Sequence, residues 1–377
     1  MRRLLVVTAA FAALAAAPAD AWDRGEVKNF ATIPVLTSVA SPTPGPVCPD
    51  SAATCTSDIE GVAVGPDGTV YSASFGFTSA GALGPSKGVL GGNGVLFVFA
   101  PNGKLLRQLP VPGSSPHLIG TVFQQSSGSV LVADLGLGVV WKVNPLSGAT
   151  SKFMQAPSIN GGSPGLNALA IDKAGNVYTS DSFQGVIWKN GPDGGTPSPW
   201  YSPAAQNDLL LPTANDNEPL IPPFGANGIE FNNEGTALFA MNTAYHSIVK
   251  IPVNSDGSAG TGTVLTTGLN APDGLAVDAN DNLWVAANQG DEIVVVDPTG
   301  TVIAKKGDFD GIAPDGSIQG LLFPASVAFS PDKKRLYVTN LALYLPSAGV
   351  GTIAVDSGLT LEVKRYNIGY IEVPPGR

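Results

Sequence analysis

Three features of the sequence predict an all-β chain folded as a six-bladed β-propeller. One apolar strand–turn–strand pattern recurs six times, at a period of about fifty residues, beside abundant glycine (46) and proline (32) and few charged residues. Many short strands joined by tight turns require that composition. An open solenoid would also be periodic, but it would need distinct capping repeats and shorter units.

The copies are IEGVAVGPDGTVYSAS (59–74), IGTVFQQSSGSVLVAD (119–134), LNALAIDKAGNVYTSD (166–181), ANGIEFNNEGTALFAMN (226–242), PDGLAVDANDNLWVAA (272–287) and PASVAFSPDKKRLYVTN (324–340). Each is an apolar strand, a polar turn and a second apolar strand. A third strand follows in several, as in GVLFVFA, GVVWKV, GVIWKN, SIVKIPV and EIVVVD, and then a turn and a fourth. Closing the ring calls for a strand from one end of the chain to complete a blade at the other. Residues 29–37 are expected to join 351–356 and 361–367 near the C-terminus.

Ahead of the repeats, residues 1–21 carry Arg2 and Arg3, an apolar run and Ala19-Asp20-Ala21. That is the layout of an export signal with a small-residue cleavage site. The mature chain is therefore expected to begin at Trp22 and to form a single domain over 22–377, outside the cytoplasm, in the periplasm or beyond it. Cys48 and Cys55, the two cysteines, are expected to form a disulfide there, closing a short loop. The formal charge of −10 gives no electrostatic footprint for nucleic acid. No later stretch is long and apolar enough to span a membrane. A monomer acting on a small molecule is the expectation.

Aligned on the turn and second strand, the residues that open the first strands are Glu60, Gly120, Asn167, Asn227, Asp273 and Ala325. In a propeller the first strand of each blade lines the central channel, so these side chains converge at one face. Glu60, Asn167, Asn227 and Asp273 offer oxygen, and neither His nor Cys is among them. Such a set suits one hard divalent cation, most naturally calcium, with positions left for water or substrate. The plainer reading of any one of these residues is a side chain bonding its own turn. Four oxygen side chains at one repeat position argue for the ion.

The same stretches, IEGVAVGPDGTVYSAS, ANGIEF and PDGLAVDANDNLWVA, resemble the gluconolactonase/regucalcin (senescence marker protein) family over about residues 55–345. They are also similar to its six-bladed relatives, the paraoxonases and the squid-type diisopropyl fluorophosphatase. The resemblance implies a divalent ion, calcium above all, held by Glu60, Asn167, Asn227 and Asp273. It implies a metal-dependent hydrolase of a lactone or related ester, with Asp273 as both ligand and proton acceptor. SSPHLIGTVF resembles the Pro-His stretch of paraoxonases, which gives His117 a catalytic role. The dyad partner of that histidine falls near Leu135, so the dyad is missing. Gly61 and Ala168 stand where paraoxonases place carboxylates for a second calcium, so one ion is expected. The alternative is a non-catalytic, NHL-type propeller that binds a protein or carbohydrate.

Other candidates read as structure. His246 belongs to a loop, Asp172 and Asp278 to turns, and the acidic, glycine-rich segment 307–317 to an interblade connection. Segments 75–94 and 200–226 are long enough to form walls or a lid, with Trp200, Tyr201 and Phe224 as apolar contact surface.

Overall fold

In each copy the second and third strands are mostly buried, and completely so in Val70–Ser74 and Val95–Phe99. Fourth strands such as Leu105–Pro110 and Thr263–Thr267 are largely half-buried or exposed. A strand covered on both faces reads as a continuous apolar run, and one at a rim carries Lys, Arg and Thr. The sequence pattern therefore sets the radial order of the strands. The computed structural model describes residues 24–34, 36–37, 54–76, 78–79, 93–212, 224–343 and 357–374.

Six antiparallel four-stranded sheets form the six blades of a β-propeller. Their inner strands are Ile59–Val64, Leu118–Gln124, Leu166–Ile171, Ala226–Phe231, Pro272–Val277 and Pro324–Phe329, which number blades 1 to 6. Six apolar clusters fill the six seams between blades. Tyr178, Tyr201 and Phe231 pack between blades 3 and 4, and Trp284, Phe329 and Leu336 between blades 5 and 6. The ring has no unfilled seam.

Ring closure follows the expected principle with a different partner. Val27–Thr32 supplies the outermost strand of blade 6, beside Asn367–Glu372. Residues 361–366 lead into that strand from a short helix, Ser357–Thr360. Their Val363 and Tyr366 are buried in the seam between blades 1 and 6, and only NIGYIE sustains a ladder. Residues 351–356 lie outside the described residues, as do residues 1–23 and Cys48. The segment 307–317 contributes to a hairpin, Phe309–Ile312 with Ile318–Gly320, between blades 5 and 6.

Every inner strand carries one extra residue near its start. In blade 1, Ile59 pairs with Ser74 and Val62 with Ser72, so three steps on one strand match two on the other. The same shift occurs at Leu118–Thr121, Leu166–Leu169, Ala226–Ile229, Pro272–Leu275 and Pro324–Val327. Such a bulge re-aims a side chain, and here it sits at the second residue of each inner strand. Gly61, Gly120, Gly228 and Gly274 follow directly. A Cβ on them would lie 2.3, 2.2, 2.2 and 2.7 Å from the carbonyl oxygens of Ile119, Asn167, Asp273 and Ala325 in the next blade. Backbone thus meets backbone around a narrow throat.

Candidate metal centre

The second residues of the inner strands are Glu60, Ile119, Asn167, Asn227, Asp273 and Ala325. Blade 2 departs by one position from the sequence alignment, which had placed Gly120 here. Six residues separate Phe123 from Val130 in that blade, as they do Phe231 from Leu238 in blade 4 and Phe329 from Leu336 in blade 6, where five separate Val64 from Val70 in blade 1; an alignment that leaves the extra residue of blade 2 uncounted lands one residue late. Glu60, Ile119, Asn167, Asn227 and Asp273 line a single cavity of about 90 Å³ at the throat. All four predicted oxygen side chains are buried and share it.

A chain of hydrogen bonds holds three of them. The residue just after the second strand in blades 3, 4 and 5 is Ser182, Thr243 and Asn288. Asn167 Nδ2 donates to Ser182 Oγ at 3.1 Å, and Ser182 Oγ donates to the carbonyl of Ala226 at 2.7 Å. Asn227 Nδ2 donates to Thr243 Oγ1 at 2.9 Å, and Thr243 donates to the carbonyl of Pro272 at 2.8 Å. Asn288 Nδ2 donates to Asp273 Oδ2 at 3.0 Å and to the carbonyl of Pro324. Each relay ties one blade's throat residue to the strand that carries the next. The sequence signal was present: a small hydroxyl or carboxamide at one repeat position in three consecutive blades.

The relays engage the amide nitrogens of Asn167 and Asn227. Among the buried polar atoms left without a partner are Glu60 Oε2 and Asn227 Oδ1. A buried acceptor with no donor costs roughly 1–3 kcal/mol, and a cation removes that cost. Burial first, and then the facing Asp273 carboxylate, raise the Glu60 carboxyl well above the ordinary range. Burial also raises Asp273, while hydrogen bonds from Asn288 and Asn227 hold it back. The donor chemistry fits a divalent ion: two carboxylates to balance its charge and two carboxamide oxygens beside them. The described residues gather no group of three or more His, Cys, Asp or Glu, so half of this set depends on carboxamides.

The rest of the cavity is apolar: Phe75, Ile119, Phe224, Ala271, Phe323, Leu341 and Leu343, with Gln289 the remaining polar residue. Phe224 thus stands where a wall was expected. Trp200 and Tyr201 do not. They belong to the seam between blades 3 and 4, where Trp200 Nε1 donates to the carbonyl of Gly257 and Tyr201 bonds Asn207. The apolar run after Ser198 builds core before the chain turns toward the mouth.

His117 lies behind the wall. Its Nδ1 is 2.7 Å from the carbonyl oxygen of Phe75 and its ring 5.5 Å from the Phe75 ring, and it is not among the residues lining the cavity. His246 holds its loop, its Nδ1 accepting from the Ala271 amide at 3.1 Å. Asp172 and Asp278 bond their own turns, and Asp278 also accepts from Trp284 Nε1. Two more buried carboxylates stand at this face, Asp134 and Asp181. They cap the turns after the second strands and bind Trp141 and Trp188. A larger cavity of about 440 Å³ occupies the far half of the channel, lined mostly by inner-strand backbone and aliphatic groups. Asp172, Lys173, Glu230 and Lys333 are its charged lining residues, two of each sign.

The sequence pattern of the SMP-30/Gluconolactonase/LRE-like region matches residues 93–342. No curated protein is a significant sequence match. Among solved structures, a calcium-binding regucalcin from Agrobacterium tumefaciens is 16% identical with a TM-score of 0.55, over 84% of this chain and 90% of that one. A gluconolactonase from Xanthomonas campestris is 12% identical with a TM-score of 0.54, over 93% and 98%. A luciferin-regenerating enzyme is 16% identical with a TM-score of 0.54, over 85% and 92%.

Proposed function

Because the chain belongs to the SMP-30/gluconolactonase/LRE-like family, we propose that its throat is the active site of a divalent-metal-dependent hydrolase, exported from the cytoplasm, that opens a lactone or related ester. The observation that carries this reading is the oxygen-only set of Glu60, Asn167, Asn227 and Asp273 around one cavity, with Glu60 Oε2 and Asn227 Oδ1 unpartnered. These four side chains would hold the ion, and the all-oxygen set favours calcium. When bound, the ion supplies Lewis-acid polarisation of a carbonyl and stabilisation of the developing oxyanion.

The chain's own groups supply the rest. Asp273, oriented by Asn288, accepts a proton from the attacking water and returns it to the departing alkoxide oxygen as the acyl C–O bond breaks. The relays through Ser182 and Thr243 keep the carboxamides of Asn167 and Asn227 from turning over. Phe75, Phe224, Phe323 and Leu341 keep bulk water from the throat, which strengthens every charge interaction within it. His117, through its contact with the Phe75 carbonyl, positions that wall.

The test is metal analysis of protein purified without chelator, followed by a lactone and aryl-ester screen with calcium and with chelator. We expect one divalent ion per chain, and hydrolysis that chelator stops and calcium restores. Undiminished hydrolysis in chelator would overturn the metal dependence. A fully loaded protein that cleaves neither class would instead favour a binding propeller.

A further inference from the structure

On the reading of the site just given, we infer that the substrate carries an apolar substituent. This substituent leaves the cavity across Phe224 and lies on Phe183 at the rim of blade 3. A polyhydroxylated lactone ring fits poorly.

Two observations lead here. The first is what the cavity offers above its oxygen floor. Thr243 and Asn288 spend their donors on Pro272, Asp273 and Pro324, which leaves the Asn288 carboxamide oxygen and Gln289 as the lining groups above the floor with polar capacity to spare. The surrounding wall is aromatic and aliphatic. Ring hydroxyls pressed against that wall would lose water without gaining partners, and a site rejects such a ligand strongly.

The second observation lies outside the cavity. Phe183, in the turn after the second strand of blade 3, is a large apolar side chain left 43% exposed. Its ring stacks on Phe224 at 5.7 Å and 20° between planes, so the apolar wall continues outward without a break. It has a built seat: a Cβ on Gly165 would fall 2.3 Å from the Phe183 ring. The matching turns of blades 2 and 4 present Leu137 and Tyr245, also exposed. The turns after the second strands of blades 2 to 4 thus each present an exposed apolar side chain, and that of blade 3 is in contact with the cavity wall through Phe224.

The test is kcat/KM for γ-butyrolactones bearing alkyl chains of increasing length, with glucono-δ-lactone as comparison, in calcium-loaded protein. We expect kcat/KM to rise two- to fourfold per methylene on the shelf, fourfold being about the 0.8 kcal/mol of a fully buried methylene. Phe183→Ser should flatten the series and Phe183→Leu retain most of it. Gly165→Ala should flatten it too, by pushing the ring off its seat. A flat series in the wild type, or faster turnover of glucono-δ-lactone, would overturn the inference. If neither class is cleaved, the hydrolase reading fails by itself, and calorimetry with uncleavable 2-alkylcyclopentanones decides the shelf. Affinity that grows with chain length and is lost in Phe183→Ser supports it, and affinity independent of chain length overturns it.

Discussion

Blades 3, 4 and 5 build their side of the throat with polar groups, and blades 6, 1 and 2 build theirs with apolar ones. After the second strand the first group has Ser182, Thr243 and Asn288, each bonded forward to the next blade. At the same position the second group has Leu341, Phe75 and Leu135. The two carboxyls fall on opposite sides of this divide. Asp273 receives hydrogen bonds from Asn288 and Asn227, which offset part of its burial. Glu60 has an unpartnered oxygen and faces a like charge, so it is raised well above the ordinary range. One half orients its oxygens before any ligand arrives, and the other excludes water and waits for a positive charge.

The largest expected effect breaks the oriented half at its carboxylate. Asp273→Ala should abolish lactone hydrolysis and remove the rise in thermal midpoint that calcium gives the wild type, about 2.7 kcal/mol at a hundred times Kd. An equal rise in both proteins would exclude Asp273 as a ligand. Next, Thr243→Val keeps the shape and removes the relay. Calcium affinity by titration calorimetry should fall roughly 10–100-fold, the usual cost of losing a group that orients a ligand. Phe75→Leu, on the apolar half, should leave that affinity within about threefold, because it orients no ligand.

Glu60→Gln should act in opposite directions with and without the ion. In chelator at pH 8 it should stabilise the fold by on the order of 1–3 kcal/mol, since it replaces a buried charge or bound proton with a neutral amide. In calcium it should weaken binding. Thermal unfolding under both conditions reads the reversal.

A further effect is graded with pH. Burial pushes Asp58, Glu230 and Asp273 up to about 7. Over the window between about pH 4 and 7, the folded metal-free chain holds protons that the unfolded chain has released. Raising pH therefore favours unfolding. Denaturant midpoints in chelator should fall from pH 5 to pH 8, and calcium should flatten the decline by removing the shares of Asp273 and Glu60. A midpoint that rises over that range would contradict the burial of these groups.

The propeller was legible because its period is written in strands, and each strand pair repeats the same apolar spacing. The four oxygens were legible for a related reason: a bulge recurs at one place in each repeat, so side chains with one role occupy one column. Blade 2 misled because its six-residue turn, the length found in blades 4 and 6, reads as the five-residue turn of blade 1, and the ladder of Val132 with Thr121 and Asp134 with Leu118 corrects the count. Trp200 and Tyr201 misled because apolar residues near a long loop carry no mark of which way they face. The closing strand was harder, since pairing of Val27 with Ile371 leaves no trace in local spacing. The shelf at Phe183 was invisible for a similar reason: its seat is a glycine in another turn.

The outermost strand of blade 6 comes from the beginning of the chain and its neighbour from the end. During synthesis every other blade can complete itself locally, while blade 6 stays open until Asn367–Glu372 has been made. The entropy of closing so long a loop grows slowly, by roughly 0.6 kcal/mol per doubling of length, but pairing over such a separation is slow to find. Final locking is therefore a late event, and until then the unpaired edge of Asn367–Glu372 is open to other chains. Because Val27–Thr32 pairs with Asn367–Glu372, the chain could be joined between these two strands and cut in the exposed turn at Asn254–Ser258. That permutant would move the late step to blade 4 while leaving every throat side chain in place.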